Sequence, residues 1–356
     1  MQRSPTSKKP GAQRSPSWWA KASTAPLSKA CREVETRLLS ARSPADLDEA
    51  AALLRRGGLV AFPTETVYGL GALALEPLAV RAIYAAKSRP LTNPLIVHVL
   101  GEDEARPLVS RWPLEARQLA ARFWPGPLTL VLPRTAIVPD ECTAGGDTVG
   151  VRAPSHPAAR ALLERVGAPL AAPSATRAQH VSPTSAAHVL RDLNGRIDAV
   201  VDGGRCPFGI ESTVVGLDGD QLRLLRTGAI PRGDIEELVG PLADAAPSGG
   251  VAQSPGQQRR HYAPAAVVRI APRPELIAAA ARLPGRIGAL LRGDTSAPPA
   301  VAVARLPEDA QGFARELYAA LRDLEDADCS AILVEQVPAG AEWDAVRDRL
   351  TRAASS

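Results

Sequence analysis

Short, strongly apolar runs alternate with helical patterns along most of this chain, and this alternation limits the folds open to it. Leu59–Phe62, Leu95–Leu100 and Leu128–Leu132 have the length and composition of buried strands. Further strand candidates are Val149–Arg152, Leu170–Ala172, Ala199–Val201, Ser212–Leu217 and Leu222–Arg226. Asp218-Gly219-Asp220 joins the last two and is typical of a hairpin turn. Strands mixed with helices, with one hairpin among them, predict an α/β fold on a mixed sheet.

Three segments of the first 240 residues carry helix signals. Ala45–Arg56 follows Ser43-Pro44, which favours a helix start, and Pro77–Lys87 begins with a proline. Ser182-Pro183 predicts the start of a third helix, which runs to Leu193 with the serine as N-cap. Because the first N–H groups of a helix are free, that start would attract an anion. An ordinary capped helix has the same pattern, so both interpretations stay open.

A stretch rich in Pro, Gly and Ser divides the chain near residue 250. Residues 241–264 have the composition of a linker. The unit after it is predicted to contain the strands and helices Val267–Ile270, Pro274–Leu283, Arg286–Leu291, Glu308–Leu324, Ala331–Val334 and Trp343–Ala353. This order is typical of a small Rossmann-like layer. We therefore expect a disordered basic tail over 1–42, a first domain over 43–240, the linker, and a second domain over 265–356.

The positive charge of the chain is concentrated at its start. The formal net charge is +4, and residues 1–32 carry seven positive charges and no acid, so residues 33–356 carry about −3. The high isoelectric point therefore gives no support to a nucleic-acid partner. The four cysteines form no C-x-x-C pair, and no apolar run approaches the roughly 18 residues of a membrane span. We expect a soluble, cytoplasmic protein.

The segment Gly69-Leu70-Gly71-Ala72-Leu73-Ala74 fits the relaxed dinucleotide pattern G-x-G-x-x-A directly after a predicted strand. A dinucleotide site also needs an acidic residue about 20 positions later, to bind the ribose hydroxyls. The sequence has no carboxylate between Glu76 and Glu102, and cations stand in that region instead. The pattern therefore indicates a pocket for anions, with the glycines forming a tight bend beside it, and argues against NAD.

Several polar residues in apolar surroundings are candidates for that pocket. Lys87 continues the apolar stripe of its helix, Arg89 is held extended by the following proline, and Asn93 adds a neutral donor and acceptor. Phosphate recognition needs this mixture. His98 lies in an apolar strand, where a core role and a ligand role fit equally well. Arg152 ends a strand and is costly to bury unpaired, so it should face a cleft or an anion.

A set of separate motifs, in their order and spacing, resembles the YrdC/Sua5 family. The motifs are Pro63-Thr64-Glu65-Thr66-Val67-Tyr68-Gly69-Leu70-Gly71, Lys87-Ser88-Arg89-Pro90, Asn93-Pro94-Leu95, Pro125-Gly126-Pro127-Leu128-Thr129, Ala172-Pro173-Ser174-Ala175 and Ser182-Pro183-Thr184. They span residues 46–240. Arg260-His261-Tyr262-Ala263-Pro264 and Val346-Arg347-Asp348-Arg349-Leu350 resemble the longer, Sua5 type of the family. The resemblance thus covers nearly all of the chain after the tail.

The resemblance implies a YrdC-like twisted mixed sheet with helices, a linker, and a smaller Rossmann-like Sua5 domain. It also implies a nucleotidyltransferase that converts L-threonine, bicarbonate or CO2, and ATP into L-threonylcarbamoyladenylate and pyrophosphate. Mg²⁺ would come with the nucleotide, and the protein itself would supply no metal ligand. The product would pass to the transferase machinery that modifies adenosine 37 of tRNA, with direct tRNA binding weak or absent. Such chemistry needs positioning and charge neutralisation and no covalent nucleophile.

The resemblance also assigns site residues. Those expected around L-threonine are Thr66, His98, Arg152, Ala172 and Ser212. Those expected around ATP are Arg89, Asn93, Thr148, Ser174, Ser182, Arg226 and Tyr262, with Lys87 and Arg89 as the catalytic cations. The sequence departs from the family pattern at Thr176, where the family has Asn, and at residues 257–259, where Gln, Gln and Arg replace Met, Lys and Tyr.

Two other classes of protein fit parts of the pattern. A non-catalytic RNA-binding protein could use the same fold, but the acidic body and an aromatic content of only 4% disfavour base stacking. A carbamoyl transferase of hydrogenase maturation has a related core domain, but it predicts paired zinc-finger cysteines that the sequence lacks. The synthase is therefore the favoured hypothesis.

Overall fold

Two β-sheets organise the chain in a computed structural model that describes residues 35–218, 221–245 and 262–355. The strands are β1 (Arg37–Ser40), β2 (Val60–Phe62), β3 (Gly69–Leu73), β4 (Ile96–His98), β5 (Leu128–Pro133), β6 (Thr148–Arg152), β7 (Leu170–Ala171), β8 (Ala199–Asp202), β9 (Thr213–Asp218), β10 (Gln221–Arg226), β11 (Ala243–Asp244), β12 (Val267–Ala271), β13 (Ile287–Arg292), β14 (Ala302–Leu306) and β15 (Ala331–Glu335). Three predicted features lie outside these ranges: the tail up to residue 34, the centre of the hairpin turn, and the altered linker positions 257–259.

Helices connect most of the strands. They are α1 (Pro44–Arg55), α2 (Pro77–Lys87), α3 (Glu102–Ala105), α4 (Leu114–Phe123), α5 (Asp140–Thr143), α6 (Pro157–Val166), α7 (Ala186–Leu193), α8 (Arg232–Val239), α9 (Leu276–Ala280), α10 (Ala310–Asp326) and α11 (Asp344–Ala354). Ser43 caps α1 by accepting a hydrogen bond from the backbone N–H of Asp46. Across the described ranges, none of the helices has the length and apolar character needed to span a membrane.

The strand order confirms the predicted mixed α/β fold. The first sheet has eleven strands in the order β1-β8-β2-β3-β7-β4-β6-β5-β9-β10-β11, with parallel and antiparallel neighbours. The second has four parallel strands in the order β12-β15-β13-β14. Helices α10 and α11 cover one face of the second sheet and α9 covers the other, which gives the Rossmann-like layers expected from the sequence.

The glycine pattern forms a strand, and the prediction of a tight bend was wrong. Gly69–Leu73 is β3, which pairs antiparallel with β2. A Cβ added to Gly71 would lie 2.6 Å from the Phe62 ring, and one added to Gly69 would lie 3.2 Å from the Cβ of Ala172. The glycines are therefore required because neighbouring strands and side chains approach closely at this place in the sheet.

Other boundaries also differ from the predictions. The helix predicted with Ser182 as its N-cap begins three residues later, because residues 181–183 have no regular secondary structure and Ser185 is the N-cap. Part of the predicted tail, residues 37–40, is the edge strand β1, which pairs with β8. Strand β14 had no predicted counterpart. The helix predicted over 274–283 is shorter, with a 3₁₀ turn before α9.

The two domains share one apolar cluster. Val67, Val181 and Ile210 of the first domain pack with residues of α10, including Phe313 and Leu317. The backbones also meet: a Cβ added to Gly209 would lie 2.4 Å from the carbonyl oxygen of Arg315. The second domain is therefore packed directly against the loops that precede β9.

Candidate active site

A cavity lies where the ends of several strands of the first sheet meet. Its lining residues are Thr64, Thr66, Val67, Gly69, Arg89, Ile96, His98, Arg152, Ala172, Pro173, Ser174, Glu211, Ser212, Arg226 and Tyr262. Nine of the twelve candidates assigned to the substrates are among them. His98 and Arg152 lie side by side because β4 and β6 pair in parallel. Distant segments of the sequence thus converge on one site.

Arg152 is the buried cation on one side of the cavity. Its guanidinium donates to Glu65 Oε1 at 2.6 Å and to Thr66 Oγ1 at 3.0 Å. The other oxygen of Glu65 accepts from the backbone N–H of Ser155 at 3.1 Å. Both side chains of the ion pair are almost fully buried, at 5% and 3% exposure. The pair fixes the orientation of Arg152 while its position at the cavity wall leaves it able to meet an anionic group.

His98 is buried beside this pair. Its ring lies edge-on to Phe62, with ring centroids 6.3 Å apart, and Nδ1 is 3.4 Å from the carbonyl oxygen of Ile96. Burial, reinforced by the positive charge of Arg152, lowers the pKa of His98 to about 3. The imidazole is therefore neutral at physiological pH and adds no charge to the pocket.

A second cation lies at the end of β10. Arg226 donates from Nε and Nη2 to the carbonyl oxygen of Ser212, at 3.1 and 3.0 Å, and from Nη2 to Ser212 Oγ at 3.1 Å. Ser212 Oγ is also 2.8 Å from Thr129 Oγ1. This network holds the serine hydroxyl and the guanidinium in fixed positions on the cavity wall.

Arg89 lies on the wall that the sequence predicted to be cationic, and Asn93 is buried next to it. Arg89 Nη2 donates to the carbonyl oxygens of Asn93 and Pro94, at 3.3 and 3.1 Å. Burial lowers the pKa of Arg89 to about 10, so it remains charged at neutral pH. Asn93 is only 4% exposed, and its Oδ1 has no hydrogen-bond partner within the described part of the chain. Such an orphaned acceptor fits a ligand that brings a donor.

Four of the predicted site residues lie outside the cavity lining. Lys87 points to the neighbouring loop, where its ammonium donates to the carbonyl oxygen of Ser174 at 2.5 Å and also to that of Thr176. Burial and the nearby charge of Arg89 lower the pKa of Lys87 well below its ordinary value. Thr148 begins β6, four residues before Arg152, and Asn93 and Ser182 are buried just behind the lining.

The sequence did not identify the groups that hold this wall from behind. Ser182 Oγ donates to Glu211 Oε1 at 2.6 Å, and Arg349 Nε of α11 donates to Glu211 Oε2 at 2.8 Å. Arg322 of α10 pairs with Asp192 at 2.7 Å. The sequence does show an acid next to Ser212 and arginines on apolar helix faces, which could have indicated buried ion pairs. It does not indicate which of these residues pair with each other.

These features define a two-domain α/β protein with a buried, arginine-lined pocket at the strand ends of its larger sheet. The Sua5/YciO/YrdC family model, described as "Telomere recombination", matches residues 52–228. A second model, "Threonylcarbamoyl-AMP synthase, C-terminal domain", matches residues 230–355. The chain belongs to the Sua5/YciO/YrdC family and has both of these domains.

Similar proteins cover most of the chain. It is 42% identical to the threonylcarbamoyl-AMP synthase of Pyrococcus abyssi over 85% of this chain and 92% of that protein. It is 41% identical to that of Bacillus subtilis, over 89% and 94%. The crystal structure of P. abyssi Sua5 complexed with L-threonine superposes with a TM-score of 0.83 at 40% identity, covering 90% of this chain and 97% of that one. The predicted fold and family are confirmed.

Proposed function

We propose that this chain is a threonylcarbamoyl-AMP synthase. It would join L-threonine, bicarbonate or CO2, and ATP to give L-threonylcarbamoyladenylate and pyrophosphate. The observation that carries the proposal is the convergence of Arg89, Arg152 and Arg226 on one cavity. Two anionic substrates, a carboxylate and a triphosphate, require such a concentration of positive charge. The similarity to threonylcarbamoyl-AMP synthases over 85% and 89% of the chain supports the same conclusion.

L-Threonine would bind on the side of the cavity that holds Arg152. The planar guanidinium suits the substrate carboxylate, and Glu65 keeps it oriented. Thr66, His98, Ala172 and Ser212 would surround the remainder of the amino acid. Because His98 is neutral, it would not compete with Arg152 for the carboxylate or repel the substrate's ammonium group.

ATP would bind along the wall that includes Arg89, Ser174, Arg226 and Tyr262. Asn93 and Ser182 lie directly behind this wall, and Thr148 would complete the nucleotide site further along β6. Lys87 would act through the loop whose carbonyl oxygens it binds, and would thereby keep Ser174 in place.

The chemistry divides into two steps in this arrangement. The threonine amine first attacks the carbon of CO2 to form a carbamate, and the amine proton leaves to solvent. A carbamate oxygen then attacks the α-phosphorus, and the bond to the β-phosphate bridging oxygen breaks to release pyrophosphate. The arginines would neutralise the charge that develops on the phosphates, and Mg²⁺ bound to the nucleotide would share that role. No side chain has to form a covalent intermediate.

The remaining expectations concern the cellular setting. The product would supply threonylcarbamoylation of adenosine 37 in tRNA through a separate transferase, and the synthase itself would bind tRNA weakly or not at all. The described cysteines Cys142, Cys206 and Cys329 are unpaired and buried. They agree with the cytoplasmic location expected from the sequence.

The test is pyrophosphate release from ATP measured with each substrate omitted in turn. The proposal requires release that depends on both L-threonine and bicarbonate, with L-serine as a matched substrate control that lacks only the methyl group. Turnover without threonine would contradict it. Salt-sensitive tRNA binding with no turnover would favour the RNA-binding alternative instead.

A further inference from the structure

An arginine of the second domain is buried directly behind the wall of the first domain's cavity. Arg349, on α11, is 1% exposed. It donates from Nε to Glu211 Oε2 at 2.8 Å and from Nη2 to the carbonyl oxygen of Thr227 at 2.8 Å. Both acceptors belong to the first domain, next to Ser212 and Arg226, respectively. One side chain from 138 residues away thus connects the segment before β9 with the segment after β10, which carries the second cation of the site.

Glu211 links Arg349 to the wall of the candidate nucleotide site. Its Oε1 accepts from Ser182 Oγ at 2.6 Å, and its Oε2 also accepts from the hydroxyl of Tyr318 at 2.9 Å. Glu211 lines the cavity itself. Because a carboxylate accepts but does not donate, the three donors fix its orientation, and through it the direction of the Ser182 hydroxyl.

Arg349 also packs against the two tyrosines on one side of the cavity. Its guanidinium lies over the Tyr262 ring, 5.0 Å from the centroid, and Tyr262 stacks on Tyr318 with centroids 5.8 Å apart. Tyr262 is 1% exposed and lines the cavity. Arg349 therefore touches or orients the candidate nucleotide wall at Ser182, Arg226 and Tyr262 without reaching the cavity itself.

The charge of Glu211 is secured by these contacts. Burial alone would raise its pKa, but the charges of Arg349 and Arg226 and the hydrogen bond from Ser182 lower it to about 2. Glu211 therefore stays ionised at neutral pH, and loss of Arg349 would leave it buried with fewer partners. A buried carboxylate in that situation turns toward other donors or takes up a proton, and either response moves Ser182.

We infer that Arg349 is a positioning residue for the nucleotide, so that the second domain completes the ATP site of the first. The inference rests on the proposed function. It names a specific role for α11, in which ATP binding depends on Arg349, while Arg152, the residue assigned to the threonine carboxylate, is held separately by Glu65.

Arg349 could also affect ATP binding only by holding the two domains together. An ion pair at the surface between the domains provides a control for this explanation. Arg205 and Glu316 form an ion pair between the domains at 2.8 Å, with side chains 56% and 30% exposed. Arg205→Gln removes that pair without touching the cavity wall. Because exposed pairs contribute little, it should leave both the fold and the ATP affinity unchanged.

The experiment compares Arg349→Met and Arg349→Lys with Arg205→Gln and the unmodified full chain. KM for ATP and for L-threonine is measured by pyrophosphate release, and ATP binding is measured directly by titration calorimetry. Arg349→Met should raise the KM and Kd for ATP about tenfold or more, with the threonine KM within about twofold. Arg349→Lys keeps the charge but loses the second donor direction. Its KM and Kd for ATP should therefore lie between those of the unmodified chain and those of Arg349→Met.

Tyr318→Phe serves as a second variant in case Arg349→Met does not fold. It removes only the hydroxyl that donates to Glu211 and should raise the ATP KM about threefold, again without affecting threonine. The inference is overturned if folded variants bind ATP like the unmodified chain, or if the two KM values rise together. If the unmodified chain itself releases no pyrophosphate, the proposed function fails, and calorimetry still tests the role of Arg349 in ATP binding.

Discussion

The ion pair between Arg152 and Glu65 allows the structural and ligand roles of one arginine to be separated. Arg152→Met removes the 2.6 Å charged hydrogen bond and leaves the buried Glu65 carboxylate with the 3.1 Å bond from the Ser155 N–H. Breaking one side of a buried pair costs about 3–5 kcal/mol. Adding Glu65→Gln removes the uncompensated charge, so the double variant should recover about 2 kcal/mol relative to the sum of the two single changes.

Threonine binding should not recover in the same way. Arg152→Met loses a charge-assisted hydrogen bond to the substrate carboxylate, worth about 1.5–3 kcal/mol, or about 10- to 150-fold in KM for L-threonine. The double variant should keep this defect although its fold is stabilised. Urea unfolding measures the first effect and pyrophosphate release the second. Additive unfolding free energies would refute the coupling, and a restored threonine KM in the double variant would refute the assigned carboxylate contact.

Three further outcomes are expected. Burial alone would raise the pKa of Glu211, but neighbouring charges and hydrogen bonds hold it at about 2, below the unfolded value of about 4.3. Its carboxylate therefore stabilises the fold above pH 4.3 and ceases to do so as the pH falls toward 2. Between pH 7 and pH 3, the free energy of unfolding measured in urea should fall by about 2 kcal/mol more for the unmodified chain than for Glu211→Gln. Equal losses of stability in the two proteins would contradict this. Gly71→Ala places a Cβ 2.6 Å from the Phe62 ring and should cost about 1–3 kcal/mol in thermal unfolding, whereas Gly101→Ala, with open space around the new Cβ, should cost little. Arg89→Ala should raise the KM for ATP at least about tenfold with little change for threonine, and unchanged ATP kinetics would count against its assigned role.

Local patterns in the sequence were sufficient for the fold class, whereas most residues of the candidate site were assigned through the resemblance to the family. Apolar runs and turn residues located the strands that carry His98 and Arg152, because a short buried strand has a strong local signal. The glycine pair was misread because its role depends on the facing strand: Gly71 is needed by the ring of Phe62 across the hairpin. The late start of α7 has a similar cause, since Ser182 is committed to Glu211 and not to a helix cap.

Residues that act from the second domain could not be assigned to partners in advance. Arg349 and Glu211 are 138 positions apart, and Arg322 and Asp192 are 130 apart. An arginine on a helix face ordinarily indicates a solvated surface, and its burial depends on how two separate domains pack. Pairings of this kind follow from tertiary structure alone, which is why the supporting network behind the cavity was missed.

The shared apolar cluster couples the stability of one domain to that of the other. Val67, Val181 and Ile210 are buried partly by the second domain, and burying each such side chain contributes about 1.5–3 kcal/mol. Their sum, about 6 kcal/mol, is comparable to the whole stability of a typical domain, about 5–15 kcal/mol. A fragment that ends at residue 245 would expose these side chains beside the cavity and retain little margin against unfolding. We therefore expect the chain to unfold in a single cooperative transition, with its catalytic and C-terminal domains losing structure together.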